Sequence, residues 1–237
     1  MNTRLDELYE QCPRLTPHYI REVLKLTGER ADLVANITGG ISRPEAELLC
    51  RLVDEIDPVV SVEVGLGYGF SAFVICASGC RPKRERRHVV IDPHQKRYWN
   101  DRGIRHLTEA GFGGMVELRE ERSYRVLPEL ERAGVRLDFA FVDGWHTFDF
   151  VTVDFFFIDK MLRKGGVVAF DDADWASIRP LLRYIVTNLP YTVVGTLPEK
   201  RAREPLDVEL GLEGSLIALR KESGEDSRDI FFHRPFA

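Results

Sequence analysis

Val62-Glu63-Val64-Gly65-Leu66-Gly67-Tyr68-Gly69-Phe70-Ser71 is the stretch of sequence that decides the fold. A β-branched run, Val59–Val64, leads into glycines at alternate positions, and an apolar segment, Phe70–Ser78, follows them. The run predicts a buried strand, and the segment after the glycines predicts a helix. Glycine is needed where the backbone turns tightly and must approach a ligand closely. The stretch therefore predicts a strand, a turn and a helix, with room for a ligand at the turn.

The chain after this stretch repeats the same alternation. Short apolar runs alternate with helix-length amphipathic segments, which is typical of a parallel sheet with crossover helices. The predicted strands are Val59–Val64, His88–Ile91, Met115–Leu118, Leu137–Val142, Val167–Phe170, Tyr191–Thr196 and Ser215–Leu219. No helix-length pattern separates the last two strands, so we expect a terminal antiparallel pair. The sequence predicts an α/β protein of the doubly wound, Rossmann-like class, with a mostly parallel seven-stranded sheet and helices on both faces.

The two ends of the chain differ from this central part. Before residue 59 the pattern is helical, and the segments Pro17–Leu26 and Pro44–Glu55 each open with proline near a Thr or Ser cap. We expect residues 1–57 to form an N-terminal helical lid, residues 58–220 the main domain and residues 221–237 a C-terminal tail. The tail ends in Phe231-Phe232-His233-Arg234-Pro235-Phe236, whose aromatic side chains predict packing against the lid or another subunit.

Composition limits the classes of function. The 237 residues are 44% apolar and include 14 Phe, enough for one large core. A formal charge of −5 argues against nucleic-acid or membrane-surface partners, and no apolar stretch reaches the roughly 20 residues of a membrane helix. Residues 1–10 show no apolar run after their charges, so no secretory signal is predicted. We interpret the basic run Arg81–Arg87 as a solvated loop at the amino edge of the sheet.

The cysteines predict no metal site. Cys12, Cys50, Cys76 and Cys80 form no CxxC pair, and buried thiols are the favoured interpretation of the last two, although these could touch across one helical turn. A reduced, cytoplasmic protein is predicted.

The residues around the glycines indicate the kind of ligand. A glycine-rich turn by itself needs no ligand, and a dinucleotide loop would carry a further glycine where this chain has Phe70. Glu63 beside the turn would repel a diphosphate and attract an ammonium group. Asp92 follows the second strand, where a carboxylate can accept hydrogen bonds from ribose hydroxyls; capping a helix before Pro93 is the alternative. Together these residues predict a nucleoside ligand with an amino acid end.

The stretch Val62–Ser71 resembles motif I of class I S-adenosylmethionine-dependent methyltransferases, and especially the catechol O-methyltransferase-like group and the macrolide sugar O-methyltransferases. The resemblance continues in the same order through Ile91–Pro93, Ser123–Pro128, Val142–His146 and Gly165–Asp172. It covers roughly residues 40–190, and several ordered motifs are more specific than one glycine loop.

The resemblance implies that S-adenosylmethionine is the cofactor. Glu63 and Ser71 would hold its methionine end, Asp92 its ribose, and Ser123 with Tyr124 its adenine edge. The family often carries a small residue and an acidic residue before this serine, whereas this chain has Glu121-Arg122. The residues expected to bind the cofactor are Glu63, Gly65, Gly67, Gly69, Ser71, Asp92, Ser123, Tyr124 and Asp143.

Three acidic residues follow neighbouring strands: Asp143 after the fourth, and Asp171 and Asp172 after the fifth. Their carboxylates should converge at the carboxyl edge of the sheet, where they would repel each other. A hard cation with oxygen ligands relieves that repulsion, so we predict Mg²⁺ or another divalent ion at these three residues. The resemblance agrees, because the sugar-modifying relatives carry Asp-Asp at the second position. The alternative is that Asp172 caps a helix and Asp143 contacts the cofactor amine.

His146 lies on the loop that begins with Asp143. Its imidazole could remove a proton from a substrate hydroxyl, and the catechol-type enzymes carry a lysine base at the matching position. His146 and Asp143 are therefore the predicted catalytic residues. The alternative for His146 is a capping or supporting role. Trp145 and Trp175 are expected to wall the pocket, with a place in the core as the alternative.

The sequence as a whole predicts an S-adenosylmethionine-dependent O-methyltransferase, assisted by a divalent metal. The acceptor would be a hydroxyl of a small molecule of sugar, phenolic or natural-product type, with no nucleic-acid or membrane partner; a homodimer is compatible with the sequence. The alternatives are a metal-independent N- or O-methyltransferase of the same fold, a non-catalytic S-adenosylmethionine-binding module, and a nicotinamide oxidoreductase, which Phe70 disfavours.

Overall fold

The computed structural model describes residues 6, 7, 10, 41–197, 204–226, 228 and 231–236. The helices in these residues are α1 (Arg43–Ile56), α2 (Phe70–Ala77), α3 (Arg102–Glu109), α4 (Ser123–Arg132), α5 (Phe148–Met161), α6 (Arg179–Asn188) and α7 (Pro205–Glu209). The strands are β1 (Val60–Val64), β2 (Arg87–Ile91), β3 (Val116–Arg119), β4 (Leu137–Val142), β5 (Leu162–Phe170), β6 (Tyr191–Thr196) and β7 (Ile217–Lys221).

These strands form a single sheet in the order β3-β2-β1-β4-β5-β7-β6. Strands β1 to β5 are parallel, and β7 lies between β5 and β6 and is antiparallel to both. The predicted mostly parallel, seven-stranded sheet with an antiparallel end is confirmed. Chain order reverses between β1 and β4, which is the position where doubly wound sheets bind ligands.

The core has one layer on each face of the sheet. Side chains of α1, α2 and α3 fill one layer, and those of α4, α5 and α6 fill the other. Along β1 the faces alternate, so Val62 and Val64 enter the second layer while Glu63 points toward α2. The prediction of helices on both faces is confirmed.

The strand boundaries differ most from the sequence prediction at β5 and β7. Strand β5 begins at Leu162, because this residue pairs with Leu137 before a register shift in the ladder. Because Arg163 and Lys164 are polar, the apolar pattern of the sequence does not indicate that the strand begins at Leu162. Strand β7 extends to Lys221, which pairs with Tyr191 of β6.

The N-terminal region is described from residue 41 onward. Helix α1 confirms the helix predicted at Pro44–Glu55, and it begins with a capping box in which the backbone N–H of Ser42 donates to Glu45 at 2.6 Å. The helix packs on α2. The predicted helix Pro17–Leu26 and Cys12 lie outside the described residues, so the lid over residues 1–57 stays a prediction.

The C-terminal tail packs on α6 of the same chain, a helix that the sequence had not indicated as its contact. The rings of His233 and Phe236 lie 5.9 and 5.4 Å from that of Tyr184, and Asn188 exchanges hydrogen bonds of 2.7 and 3.0 Å with the backbone of Arg234. Upstream, the Arg228 guanidinium donates to the buried Asp159 at 2.6 Å.

Two interpretations of polar and cysteine residues are wrong in part. Arg86 of the basic run is buried and donates to the carbonyl oxygens of Ile75 at 2.8 Å and Pro58 at 3.2 Å, so it closes the end of α2 rather than facing solvent. Cys76 is buried as expected, but Cys80 is exposed. None of the described helices combines the length and the apolarity needed to cross a membrane.

Candidate active site

The glycine turn predicted from the sequence connects β1 to α2 at the carboxyl edge of the sheet. Gly65 has a φ of +93°, and a Cβ there would collide with the carbonyl oxygen of Asp143. Its N–H donates to the carbonyl oxygen of Ile91 at 2.9 Å, and that of Gly69 donates to Leu66 at 2.8 Å. Only glycine meets both the conformational and the spatial demand at position 65.

Asp92 lies beneath this turn and is almost completely buried. One carboxylate oxygen accepts from the backbone N–H groups of Gly67 at 3.1 Å and Leu66 at 3.3 Å, and from the Gln95 amide at 2.7 Å. The other oxygen accepts from the N–H of His94 at 2.8 Å. Asp92 therefore holds the glycine turn in shape, and its contact with the ribose stays a prediction.

Replacing Asp92 by alanine is expected to weaken binding of S-adenosylhomocysteine by about 1.5–3 kcal/mol, because a charged acceptor shared by the turn and the ligand is lost. Calorimetry measures this change directly. Asp92→Asn is the matched control: it keeps one acceptor oxygen and should lose less affinity. Unchanged affinity in the alanine variant would contradict the assignment of Asp92 to the site.

Glu63 lies under the turn with no exposed surface. The hydroxyl of Ser71 donates to one of its carboxylate oxygens, and Nε2 of His88 lies 3.0 Å from the other. Nδ1 of His88 in turn lies 2.9 Å from the Ser61 hydroxyl. Burial raises the pKa of Glu63, and the contact with His88 opposes the rise. In this arrangement Glu63 contacts Ser71, at the first turn of α2, and its role at the methionine end of the cofactor stays a prediction.

Ser123 and Tyr124 open helix α4 beyond the end of β3. Ser123 is buried, whereas Tyr124 is exposed, with its ring 5.9 Å from that of Phe150. The sheet order β3-β2-β1-β4 places Ser123, Asp92, the glycine turn and Asp143 in succession along one edge. Adenine, ribose and methionine follow one another in the same order in the cofactor.

The three predicted carboxylates do meet at the ends of β4 and β5. The N–H of Asp171 donates to the carbonyl oxygen of Val142 at 3.0 Å, which continues the ladder past the strand ends. Burial and the neighbouring charges of Asp143, Glu45 and Asp172 raise the pKa of Asp171 well above its usual range. Burial, aided by the charge of Asp172, also raises the pKa of Asp143, although the contact with His146 opposes the rise.

His146 lies between two of these carboxylates. Its Nδ1 is 2.9 Å from Asp172 and its Nε2 is 3.3 Å from Asp143. Burial by itself would lower the pKa of His146, but the contacts with Asp143 and Asp172 outweigh burial and raise it to about 10. The imidazole is therefore a cation at neutral pH in this arrangement.

The alternative capping roles find no support. Helix α5 is capped by Thr147 and helix α6 by Ile178, and neither His146 nor Asp172 caps a described helix. Trp145 and Trp175 are 57% and 43% exposed, so neither is a core residue. The Trp175 ring lies 5.2 Å from that of His146 and forms a wall beside it.

The donor chemistry of the cluster fits a hard divalent cation, because carboxylates with raised pKa values are short of positive charge. In their described positions, however, no three His, Cys, Asp or Glu side chains of the described residues are arranged to bind a metal ion. His146 instead supplies the positive charge between Asp143 and Asp172.

Sequence reasoning missed several residues that shape the site. Gln95 donates a hydrogen bond to Asp92, and His88 contacts Glu63. No local sequence pattern marks Gln95 or His88. Gly103 of α3 packs against the turn, where a Cβ would lie 2.6 Å from the carbonyl oxygen of Gly67. Glu45, in the first turn of α1, lies near Asp171. The capping box that it forms with Ser42 was the only sequence feature that marked Glu45.

Known proteins resemble this chain in fold and in part of its sequence. Residues 62–173 match the family model of a methyltransferase domain. No curated protein matches the sequence. The O-methyltransferase TomG of Streptomyces achromogenes, involved in tomaymycin synthesis and solved with SAM, is 20% identical with a TM-score of 0.64, over 91% of this chain and 89% of its own. An O-methyltransferase of Bacillus cereus, solved with SAH, is 17% identical with a TM-score of 0.65, over 93% and 98% of the two chains.

The structural likenesses establish the fold, and the family match establishes the kind of domain. Residues 62–173 carry a methyltransferase domain, and the chain has the fold of these two solved O-methyltransferases.

Proposed function

We propose that the protein is an S-adenosylmethionine-dependent O-methyltransferase. It methylates a hydroxyl group of a small molecule of sugar, phenolic or natural-product type, and a divalent cation assists the transfer. The observation that carries this proposal is His146, held between Asp143 and Asp172 at the carboxyl edge beside the glycine turn. Transfer to a hydroxyl requires a base near the cofactor, because the oxygen must lose its proton to become a good nucleophile. His146 serves as that base in its neutral form, which the contacts with Asp143 and Asp172 make less populated at neutral pH.

The proposed step is an in-line displacement at the methyl carbon. The bond from the methyl carbon to sulfur breaks, its electron pair stays on sulfur, and a new bond forms to the acceptor oxygen. The hydroxyl proton goes to Nε2 of a neutral His146, the nitrogen with the longer carboxylate contact, and the Asp172 carboxylate, 2.9 Å from Nδ1, stabilises the imidazolium that forms. Trp175 and Trp145 shield this position from one side.

Asp143, Asp171 and Asp172 are the residues that would hold the cation. A bound divalent ion supplies Lewis acidity, which orients the hydroxyl and lowers its pKa. The raised pKa values of Asp143 and Asp171 support this assignment, because both groups favour a compensating positive charge.

The nature of the acceptor atom can be tested with cofactor labelled with ¹³C at the methyl group. Incubation with pools of small hydroxyl-bearing and amine-bearing compounds should give a methoxy carbon in the NMR spectrum. An N-methyl product would instead support the N-methyltransferase alternative. S-adenosylhomocysteine binding without any product would support the non-catalytic module.

Chelation tests the cation. With an acceptor in hand, EDTA should lower turnover at least about tenfold, the scale of losing one charged contact in the transition state, and Mg²⁺ should restore it. Asp171→Asn should reduce kcat more than cofactor affinity. Full turnover in EDTA would favour the metal-independent form, in which the contact between Asp172 and His146 alone organises the base.

The cytoplasmic location and a homodimer remain part of the proposal.

A further inference from the structure

One segment of the chain, residues 172–177 between β5 and α6, makes three different contacts with His146. Asp172 approaches Nδ1 of the imidazole at 2.9 Å, and the ring of Trp175 lies 5.2 Å from the imidazole ring. The third contact comes from Ser177, whose hydroxyl donates to the backbone carbonyl oxygen of His146 at 2.7 Å. The first two contacts act on the side chain of His146, whereas the contact of Ser177 acts on the backbone that carries it.

The carbonyl of His146 lies just before helix α5. Thr147 is the N-cap of this helix, and its carbonyl oxygen accepts from the N–H of Val151 at 3.0 Å in the first turn. A partly buried carbonyl that precedes the helix needs a donor, and Ser177 supplies one from 31 residues further along the chain. The hydrogen bond therefore ties the loop after β4 to the segment after β5.

The loop that carries His146 is also fixed at its beginning. The N–H of Asp143 donates to the carbonyl oxygen of Val64 at 2.9 Å, and a Cβ on Gly144 would lie 2.7 Å from Cγ1 of Val64. Strand β1 thus holds the first residues of the loop, and Ser177 holds its last turn before the helix. A base must lie within hydrogen-bond reach of the proton that it removes, and a misplacement of about 1 Å can cost about 10²-fold in rate.

We propose that Ser177 is a positioning residue for the transfer: its hydrogen bond to the backbone of His146 sets the place from which the imidazole reaches the acceptor hydroxyl. The inference rests on the proposed role of His146 as the base. Ser177 is uncharged and its hydrogen bond is to the backbone, so replacing it by alanine leaves the charges of Asp143 and Asp172 and the ring of Trp175 in place.

The kinetic test separates positioning from binding. Ser177→Ala should lower kcat about 5- to 50-fold, while KM for the acceptor and the Kd of S-adenosylhomocysteine change less than about twofold. Ser177→Thr keeps the hydroxyl and should restore most of the kcat. Thr152→Val is the matched control, because the hydroxyl of Thr152 also donates to a backbone carbonyl, that of Phe148 at 2.6 Å, further along α5. It should keep the kcat of the wild type.

The hydrogen bond itself can be observed without an acceptor. His146-Thr147 is the only His-Thr pair in the sequence, so protein labelled with ¹³C at the histidine carbonyl and ¹⁵N at threonine gives a single carbonyl–amide correlation in the NMR spectrum. The carbonyl carbon of His146 should move upfield in Ser177→Ala and keep its position in Ser177→Thr and Thr152→Val. An unchanged carbonyl in Ser177→Ala overturns the inference.

A double variant separates this inference from the proposed function. In a His146→Ala background, Ser177→Ala should lower kcat by no more than about twofold further, because both residues act through one imidazole. Three results overturn the inference alone: full additivity, a wild-type kcat in Ser177→Ala alongside a loss in His146→Ala, or a Ser177→Thr variant as poor as Ser177→Ala. An unchanged kcat in His146→Ala overturns the proposed base and the inference together.

Discussion

Replacing His146 by alanine is expected to lower kcat about 10²–10⁴-fold, the usual contribution of a positioned base. The Kd of S-adenosylhomocysteine should barely change, because His146 faces the acceptor side of the cluster beside Trp175. Steady-state kinetics with an acceptor found in the labelling experiment, together with calorimetry, measures both quantities. His146→Gln is the matched variant, since it keeps hydrogen bonding without basicity, and it should be nearly as poor.

The pH profile gives a second test of the same residue. The contacts with Asp143 and Asp172 raise the pKa of His146 to about 10, so the imidazole accepts a proton only as the pH rises. We therefore expect kcat to increase with pH through the neutral range. In Asp172→Asn one raising contact is lost, and the acidic limb should move to lower pH. If His146→Gln retains most activity, His146 only orients other groups and water takes the proton.

The parts of the site that local sequence signals encode were predictable. The glycines after β1 and the acids after β4 and β5 follow apolar runs, and parallel strands bring their carboxyl ends to one edge. The importance of Gly65 was predicted because it is a glycine in the turn after β1. The collision that a Cβ at this position would make with the carbonyl oxygen of Asp143 is visible only in the structure. The number of strands and their mostly parallel arrangement follow from this alternation, whereas the order of the strands in the sheet comes from the structure alone.

The contacts beneath the turn were not predictable, because they depend on register between distant segments. Ser61 and His88 are partners in the parallel ladder of β1 and β2, and this register brings the imidazole to Glu63. His88 within an apolar run carries no local sign of that contact. Asp154, likewise, stands next to a run of phenylalanines, and its burial follows from the packing of α5 on α4.

Replacing His88 by alanine is expected to lower the free energy of unfolding by about 3–5 kcal/mol, because it leaves the buried Glu63 carboxylate without its main partner. Urea denaturation measures the loss through the shift in midpoint. Ser61→Ala is the matched control: it touches only the far nitrogen of His88, and it should cost about 1 kcal/mol.

The loss in His88→Ala should also depend on pH. Burial raises the pKa of Glu63, and removing His88 takes away a contact that lowers it, so the variant's Glu63 keeps its proton to a still higher pH. A carboxyl whose folded pKa is raised stabilises the fold at low pH and loses that contribution as the pH rises through the folded pKa. The variant should therefore be less destabilised at pH 5.5 than at pH 8. An equal loss at both values would show that Glu63 is not the group left uncompensated. Because Glu63 also holds Ser71, the same variant should weaken cofactor binding, while Ser61→Ala should not.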